Sequence, residues 1–264
     1  MVEPVGIIEV DGYRMGFERA GQGPPVVLVH GYLCDGPSTW RPQLEGLSDE
    51  LTLVACDLPG AGTSSDPPED LGMAGYADCL ASFIEALGLD APHLVGVSFG
   101  GALLIELHRR HPGIAATLTL VSAYAGWRGS LGPEASGQRL EQAIALSALP
   151  PTELVDTLLP TMFAGTPDPA AVDAFRASLL ATHPEGFRAM ARAADEDLRD
   201  ALPSIDVPTL LIYGDRDVRA PLHVAEAMHA AIAGSKLVVL RGAGHVCNID
   251  APEDFNEALR DFLR

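Results

Sequence analysis

The feature that most restricts the fold of this chain is a serine flanked by glycines, in the segment Gly96-Val97-Ser98-Phe99-Gly100. The segment follows an apolar run at 93–95 and precedes a helix-like run at 102–107. A serine in a tight turn between a strand and a helix has a strained backbone, and its neighbours must be small because the two elements pass closely. Glycine at both ends of the segment meets that demand. The pattern predicts a strand–turn–helix unit that projects the Ser98 hydroxyl from the edge of a sheet.

The predicted helix also bears on the chemistry of this serine. Its first N–H groups have no partner within the helix, and its positive dipole end points toward the serine oxygen. Such an arrangement stabilises negative charge that develops on an oxygen during a reaction. The motif therefore predicts acyl-transfer chemistry at Ser98.

Strand-like and helix-like segments alternate along most of the chain. A hairpin is predicted over residues 5–18, with Asp11-Gly12 in its turn. Continuous apolar runs, typical of strands buried on both faces of a parallel sheet, follow at 25–30, 51–56, 93–98, 114–121, 208–213 and 236–240. Helices are predicted around 40–47, 76–87, 102–107, 224–232 and 253–262. This order predicts an α/β fold with a mostly parallel central sheet flanked by helices.

One long segment interrupts the alternation. From residue 124 to residue 202 the chain has only helix-like pieces, broken by glycine and proline. We therefore predict one core domain from residues 1–123 and 203–264, with a helical cap inserted at 124–202. Because sites in open α/β sheets lie beyond the carboxyl ends of the strands, the cap is expected to cover Ser98.

Three apolar side chains of the cap are predicted to face the substrate. They are Trp127, which follows a strand closely, and Met162 and Phe163 in the middle of the cap. An apolar roof favours an acyl chain or a ring over a charged group, since burial of each methylene contributes about 0.8 kcal/mol to binding.

Composition excludes several classes of partner. A formal net charge of −19 opposes binding to nucleic acid or to an anionic membrane surface. No uncharged apolar run of about 18 residues occurs, and the segment Met1-Val2-Glu3-Pro4 lacks the features of a secretion signal, so a cytoplasmic location is expected. The four cysteines show no C-x-x-C spacing and are predicted to be free thiols. The acidic surplus is also compatible with a salt-adapted surface, and the oligomeric state is not indicated.

Two loops after predicted strands supply partners for Ser98. Gly214-Asp215-Arg216-Asp217 follows the strand at 208–213, and Gly242-Ala243-Gly244-His245 follows the strand at 236–240. The carboxyl ends of parallel strands share one edge of a sheet, so these loops are expected to approach the serine. His245 can then act as the base, and Asp215 or Asp217 can orient its ring. No other histidine has carboxylates at metal-ligand spacing, so no metal site is predicted.

Five segments in this order resemble the α/β-hydrolase fold superfamily, in the branch with a helical cap. They are residues 30–32, 57–62, 96–100, 214–217 and 244–245, and they extend over nearly the whole chain. The family pattern Gly-x-x-Asp selects Asp217 as the acid and leaves Asp215 to shape its turn. The resemblance also implies an oxyanion hole formed by the N–H groups of Tyr32 and Phe99, with His30 fixing the loop that carries Tyr32.

The resemblance implies a serine hydrolase that cleaves a small-molecule carboxylic ester or lactone with an apolar part, through an acyl-enzyme and without a metal or organic cofactor. Serine at the turn argues against epoxide hydrolases and haloalkane dehalogenases, which use aspartate there. A carbon–carbon hydrolase of ring-cleavage diketones is the alternative; it needs cationic groups for a substrate carboxylate, and Arg128 and Arg188 are the suggested ones. A ligand receptor on the same fold, with slow or no turnover, is a third interpretation.

Overall fold

Eight strands form one central sheet in the computed structural model, which describes residues 5–264. In chain order they are β1 (Gly6–Val10), β2 (Tyr13–Ala20), β3 (Pro25–Val29), β4 (Thr52–Cys56), β5 (His93–Val97), β6 (Thr117–Val121), β7 (Thr209–Gly214) and β8 (Lys236–Leu240). Their order in the sheet is β1-β2-β4-β3-β5-β6-β7-β8. Strand β2 pairs antiparallel with β1 and β4, and β3 to β8 are parallel. The predicted mostly parallel α/β fold is confirmed.

The predicted hairpin at the start of the sheet is also confirmed. Val10 pairs with Tyr13 across a two-residue turn. Asp11 and Gly12 both have positive φ, 51° and 82°, as the twist of a tight hairpin requires. In contrast, the strand predicted from residue 114 begins only at Thr117, because the chain is still turning after the preceding helix, with the Ile114 N–H bonded to the His111 carbonyl.

Helices lie on both faces of the sheet, and others form the long segment between β6 and β7. They are α1 (Gly36–Thr39), α2 (Arg41–Gly46), α3 (Gly72–Ala86), α4 (Phe99–Arg110), α5 (Trp127–Leu131), α6 (Pro133–Leu146), α7 (Pro151–Leu158), α8 (Pro169–Leu180), α9 (Pro184–Ala194), α10 (Leu222–Ala231), α11 (Cys247–Asp250) and α12 (Pro252–Leu263). Short 3₁₀ turns occur at Leu159–Thr161 and Leu202–Ser204. No helix within residues 5–264 combines the length and apolar character needed to cross a membrane.

Side chains of the parallel strands alternate between two hydrophobic clusters, one on each face of the sheet. In β3, Val26 and Leu28 belong to the cluster that contains residues of α2 and α12. Val27 and Val29 belong to the cluster that contains residues of α3 and α4. This period of two follows from the pleat of a strand, and it explains why β3 is apolar at every position. The two layers hold the carboxyl ends of β3 to β8 at one edge.

Parts of the helical segment between β6 and β7 contact loops at that edge. Gly186 at the start of α9 packs so closely on Gly60, in the loop after β4, that neither position has room for a Cβ atom. Likewise, a Cβ at Gly244, in the loop after β8, would lie 2.9 Å from the Met162 carbonyl oxygen. These backbone-to-backbone contacts join the helical segment to two of the loops that follow the strands.

Candidate active site

Ser98 lies between β5 and α4 in a conformation that side chains rarely adopt. Its φ is 55° and its ψ is −112°. A Cβ at Gly96 would lie 2.5 Å from the Gly100 carbonyl carbon, and one at Gly100 would lie 2.5 Å from the Val29 carbonyl oxygen. The neighbouring glycines are therefore required by close passage of β5, β3 and α4, and the strain at Ser98 is maintained by that packing.

His245 and Asp217 form a buried hydrogen-bonded pair near this serine. The His245 Nδ1 atom lies 2.9 Å from Asp217 Oδ2, and the side chains are 4% and 0% exposed. The other oxygen, Oδ1, accepts 2.8 Å hydrogen bonds from the N–H groups of Arg219 and Ala220. Because Nδ1 is the ring nitrogen bound to Asp217, the Nε2 atom of His245 is left for other partners.

Burial and charge set the protonation of this pair. Burial, together with the charges of Arg219 and Arg139, lowers the pKa of His245 more than the adjacent Asp217 carboxylate raises it, so its pKa lies below the ordinary value. Burial alone would raise the pKa of Asp217, but His245 and the two amides on its carboxylate together hold that pKa below the ordinary value. At neutral pH the ring is thus neutral and the carboxylate is ionised.

Asp215 has a different position, as predicted. Its Oδ1 accepts a 2.6 Å hydrogen bond from the Gly242 N–H, which links the loop after β7 to the loop after β8. Asp215 is exposed and Asp217 is buried. The carboxylate that reaches His245 is therefore Asp217, and Asp215 shapes the turn.

The two amides predicted to form an oxyanion hole have no hydrogen-bond partner in the part of the chain that the structure describes. Phe99 is the first residue of α4, so its N–H has no partner within the helix. Neither this N–H nor that of Tyr32 donates a hydrogen bond to any atom of residues 5–264. A Cβ built on Gly31 would lie 3.6 Å from the Ser98 Cβ, so the loop after β3 runs beside the serine. Both donors are available to a substrate oxygen at this point.

His30 holds that loop in place. Its Nε2 accepts a 2.9 Å hydrogen bond from the Leu58 N–H, and its Nδ1 lies 2.5 Å from the Gly31 carbonyl oxygen. The accepting Nε2 fixes the tautomer with the proton on Nδ1. Burial lowers the pKa of His30, which keeps the ring neutral. His30 thus makes hydrogen bonds within the loop as predicted, and the role of that loop in an oxyanion hole stays a prediction.

Ser98 and His245 line the same cavity. The other residues that line it are mostly apolar: Gly31, Tyr32, Leu33, Thr39, Val97, Met162, Phe175, Arg219 and Val246. No hydrogen bond within residues 5–264 joins the Ser98 hydroxyl to the His245 ring. In unliganded enzymes such contacts often tighten only when substrate binds.

Only one of the three cap residues predicted to face the substrate lines the cavity. Met162 lines the cavity, whereas Trp127 and Phe163 do not. Trp127 packs edge-on against Tyr32, with ring centroids 5.5 Å apart, and Phe163 packs edge-on against Phe175 at 5.4 Å. Each therefore supports an aromatic ring that lines the cavity.

The arginines suggested for a substrate carboxylate lie elsewhere. Arg128 pairs with Asp195 and Arg188 pairs with Glu69, both outside the cavity. The cationic residue that does line it is Arg219. One indication of this role for Arg219 is present in the sequence: it lies two residues after Asp217, in a loop already predicted to approach Ser98.

A second residue that the sequence did not reveal is Asp250 at the end of α11. Its Oδ2 accepts hydrogen bonds from the Ala164 N–H at 2.8 Å and from the Gly244 N–H at 2.6 Å. Asp250 therefore ties the helical segment to the loop that carries His245. Among residues 5–264 no group of three or more His, Cys, Asp or Glu side chains is arranged to hold a metal ion.

Comparison with known proteins agrees with this architecture. Residues 26–258 match the alpha/beta hydrolase family. The structure of a thermophilic esterase from Thermogutta terrifontis, with malate bound, has a TM-score of 0.88 and 31% sequence identity, over 99% of this chain and 98% of that chain. The enol-lactonase from Burkholderia xenovorans LB400 has a TM-score of 0.87 and 27% identity, over 98% and 99% of the two chains.

A curated relative adds a third activity. The 2-hydroxy-6-oxo-2,4-heptadienoate hydrolase of Pseudomonas putida is 29% identical over 265 residues, which is 96% of this chain and 93% of the relative. The sheet, the strained serine turn and these similarities define a hydrolase of the α/β class. The chain belongs to the alpha/beta hydrolase family.

Proposed function

We propose that this chain is a serine hydrolase that cleaves a small-molecule carboxylic ester or lactone through an acyl-enzyme. The observation that carries the proposal is the buried His245–Asp217 pair, whose ring lines the same cavity as Ser98. The amides of Tyr32 and Phe99 support it, because they lie beside the serine and donate to no atom of the described residues. The similarity to an esterase and an enol-lactonase favours these two substrate types.

The proposed reaction has two steps. Ser98 Oγ attacks the substrate carbonyl while His245 Nε2 takes the hydroxyl proton, and the Tyr32 and Phe99 amides donate to the oxyanion. The C–O bond to the alcohol then breaks, and His245 gives the proton to the leaving oxygen. Water attacks the acyl-enzyme with His245 again as the base, which releases the acid and restores Ser98. Asp217 orients the ring and stabilises its charged form.

We further propose that residues 124–202 act as the cap that closes this site. Met162 reaches the cavity from this segment, and Phe175 of α8 lines it as well. The mechanism needs no metal or organic cofactor, since the serine, the base and the amide donors account for each step.

A panel of substrates tests the proposal. The purified chain is mixed with short 4-nitrophenyl esters, with lactones and with a ring-fission diketone, and each rate is compared with that of Ser98→Ala. We expect turnover of esters or lactones that Ser98→Ala lacks. A large preference for the diketone would instead assign carbon–carbon hydrolysis, the second candidate, which the similarity to the Pseudomonas putida enzyme favours. Tight ligand binding without turnover in either protein would assign a receptor.

The pH dependence of kcat/KM follows from the environment of His245. The base must be neutral, and burial lowers its pKa, so the acid limb is expected below the ordinary histidine value of about 6.5. Above that limb the rate should level off, and below it the rate should fall about tenfold per pH unit. A pH series with an active ester measures the limb.

His30 supplies the control for this series, because its ring is also buried and neutral. Its protonation would break the hydrogen bond from Leu58 and disturb the loop, so circular dichroism is recorded at each pH to separate unfolding from titration. A profile that stays flat down to about pH 4 in the folded protein would contradict the role of His245.

A further inference from the structure

Arg219 occupies the boundary between the catalytic cavity and a second pocket. Its Nη2 donates a 2.5 Å hydrogen bond to the Tyr32 hydroxyl, and its Nη1 donates one of 3.1 Å to the Thr161 hydroxyl. Its Nε is buried and has no hydrogen-bond partner in residues 5–264. A guanidinium has five N–H donors, so three of them remain unused.

A second arginine lies behind the first. Arg139 of α6 donates to the Tyr124 hydroxyl at 2.7 Å and to the Arg219 carbonyl at 3.2 Å. Its guanidinium carbon lies 4.9 Å from the centre of the Tyr124 ring and 5.0 Å from that of Trp127. Aromatic faces and neutral acceptors thus hold both arginines, and neither kind of contact neutralises a positive charge.

Neither arginine has a carboxylate partner among the described residues, although the chain is rich in carboxylates. The sequence has 36 Asp and Glu residues against 17 Lys and Arg residues. Most other arginines use them: Arg41, Arg109, Arg110, Arg128, Arg188, Arg192, Arg199, Arg260 and Arg264 all form salt bridges. Within residues 5–264, neither Arg139 nor Arg219 forms one. The nearby Asp217 carboxylate is already occupied by His245 and two amides.

Arg219 lies where its positive charge can contact a substrate. Arg219 and Tyr32 line both the catalytic cavity and a neighbouring pocket of about 380 Å³, which Arg139 and Thr161 also line. Most other side chains of the catalytic cavity are apolar. An anionic group at this boundary would therefore meet unpaired arginine donors while the rest of the same molecule reached Ser98.

We propose that Arg219, supported by Arg139, binds a carboxylate carried by the substrate, which makes the chain selective for anionic esters or lactones. This inference rests on the proposed hydrolase function and deepens it. A carboxylate fits because its two oxygens accept parallel N–H bonds from one guanidinium, and such charge-assisted bonds are stronger than neutral ones. The carboxylate belongs either to the acyl part or to the leaving group, and the experiment distinguishes these two sources.

Two pairs of substrates that differ in charge test the proposal. For the leaving group, 4-acetoxybenzoate is compared with 4-acetoxybenzamide, and for the acyl part, mono-4-nitrophenyl glutarate is compared with 4-nitrophenyl pentanoate. The variant is Arg219→Gln. The matched control is Arg216→Gln, which removes the same charge from an exposed position in the same loop.

We expect Arg219→Gln to lower kcat/KM for the charged member of one pair by at least about tenfold more than for its neutral member. Arg216→Gln should change neither member of a pair by more than about twofold. The pair that responds identifies the part of the substrate that carries the carboxylate.

Two results would overturn the proposal. An equal loss for charged and neutral members would show that Arg219 only clamps the cap through Thr161 and Tyr32. Unchanged rates for all four substrates would show that its charge has no role.

A binding measurement keeps this test separate from the test of hydrolysis. Calorimetry with Ser98→Ala compares 4-acetamidobenzoate with 4-acetamidobenzamide, and glutaranilic acid with pentananilide, none of which needs to react. Tighter binding of a charged member, lost in the double variant Ser98→Ala/Arg219→Gln, supports the carboxylate site even if no ester is turned over. Equal binding of both members of each pair contradicts it.

Discussion

Replacing Ser98 by alanine is expected to lower kcat for an active ester by at least about 10⁴, because it removes the only proposed nucleophile. The fold should survive, since the strained backbone at this position is maintained by the close packing of β5, β3 and α4 rather than by the hydroxyl. The measurement is a steady-state rate with saturating ester, together with a thermal unfolding curve for each protein.

Ser122→Ala is the matched control for this variant. Ser122 follows β6, the neighbouring strand, and it also has a positive φ, 45°. Its hydroxyl is buried and takes no part in the hydrogen bonds of His245 and Asp217, so its removal leaves that pair in place. The control should keep its activity to within about threefold. A Ser98→Ala protein that kept its rate to within about tenfold would remove Ser98 from the mechanism.

Replacing Asp217 by asparagine is expected to lower kcat by about 10³ to 10⁴, through the tautomer of His245. Oδ1 of Asp217 accepts N–H bonds from Arg219 and Ala220, so asparagine must place its carbonyl oxygen there. Its NH₂ group then faces His245 Nδ1, which has to become the acceptor. The ring proton moves to Nε2, and the atom needed as the base can no longer take the serine proton.

Asp215→Asn is the control for this effect. Asp215 accepts a single hydrogen bond, from the Gly242 N–H, and an asparagine oxygen can accept it equally well. The change in kcat should stay within about twofold, although the same charge is lost two residues away. Equal losses in the two variants would mean that the negative charge of the loop, and not the tautomer of His245, supports the rate.

Much of the site could be predicted because its residues follow strands that are easy to recognise. The apolar runs of β5, β7 and β8 place Ser98, Asp217 and His245 in loops at one edge of a parallel sheet. Glycines around Ser98 indicate that a strand and a helix pass close to each other there, as they do in a strand–turn–helix unit. These two inferences use local sequence and the common direction of the strands, and neither depends on how side chains pack.

The lining of the cavity could not be predicted in the same way. The partners of Arg219 are Tyr32, 187 residues away in the chain, and Thr161, 58 residues away. Nothing local to Arg219 indicates that its charge lacks a carboxylate. Trp127 was expected to face the substrate because it closely follows a strand, and Phe163 because it lies in the middle of the cap. The rotation of each short cap segment decides which ring lines the cavity, and Phe175 does so instead of Phe163.

The short elements were missed for a related reason. Helices α1 and α11 each have four residues, too few for a periodic pattern of apolar positions. The second of these ends at Asp250, whose carboxylate links the cap segment to the loop of His245. A contact that joins two segments across the fold leaves no signal in either segment alone.

The central claim is that Ser98 is activated by His245 and Asp217, and covalent labelling tests it most directly. The chain is incubated with diethyl 4-nitrophenyl phosphate, and the mass of the intact protein and of its peptides is measured against residual esterase activity. We predict one diethylphosphoryl group per chain, located on Ser98, that forms as activity disappears and forms far more slowly in Asp217→Asn. Loss of activity with the label on another residue, or full activity in a protein labelled at Ser98, would contradict the claim.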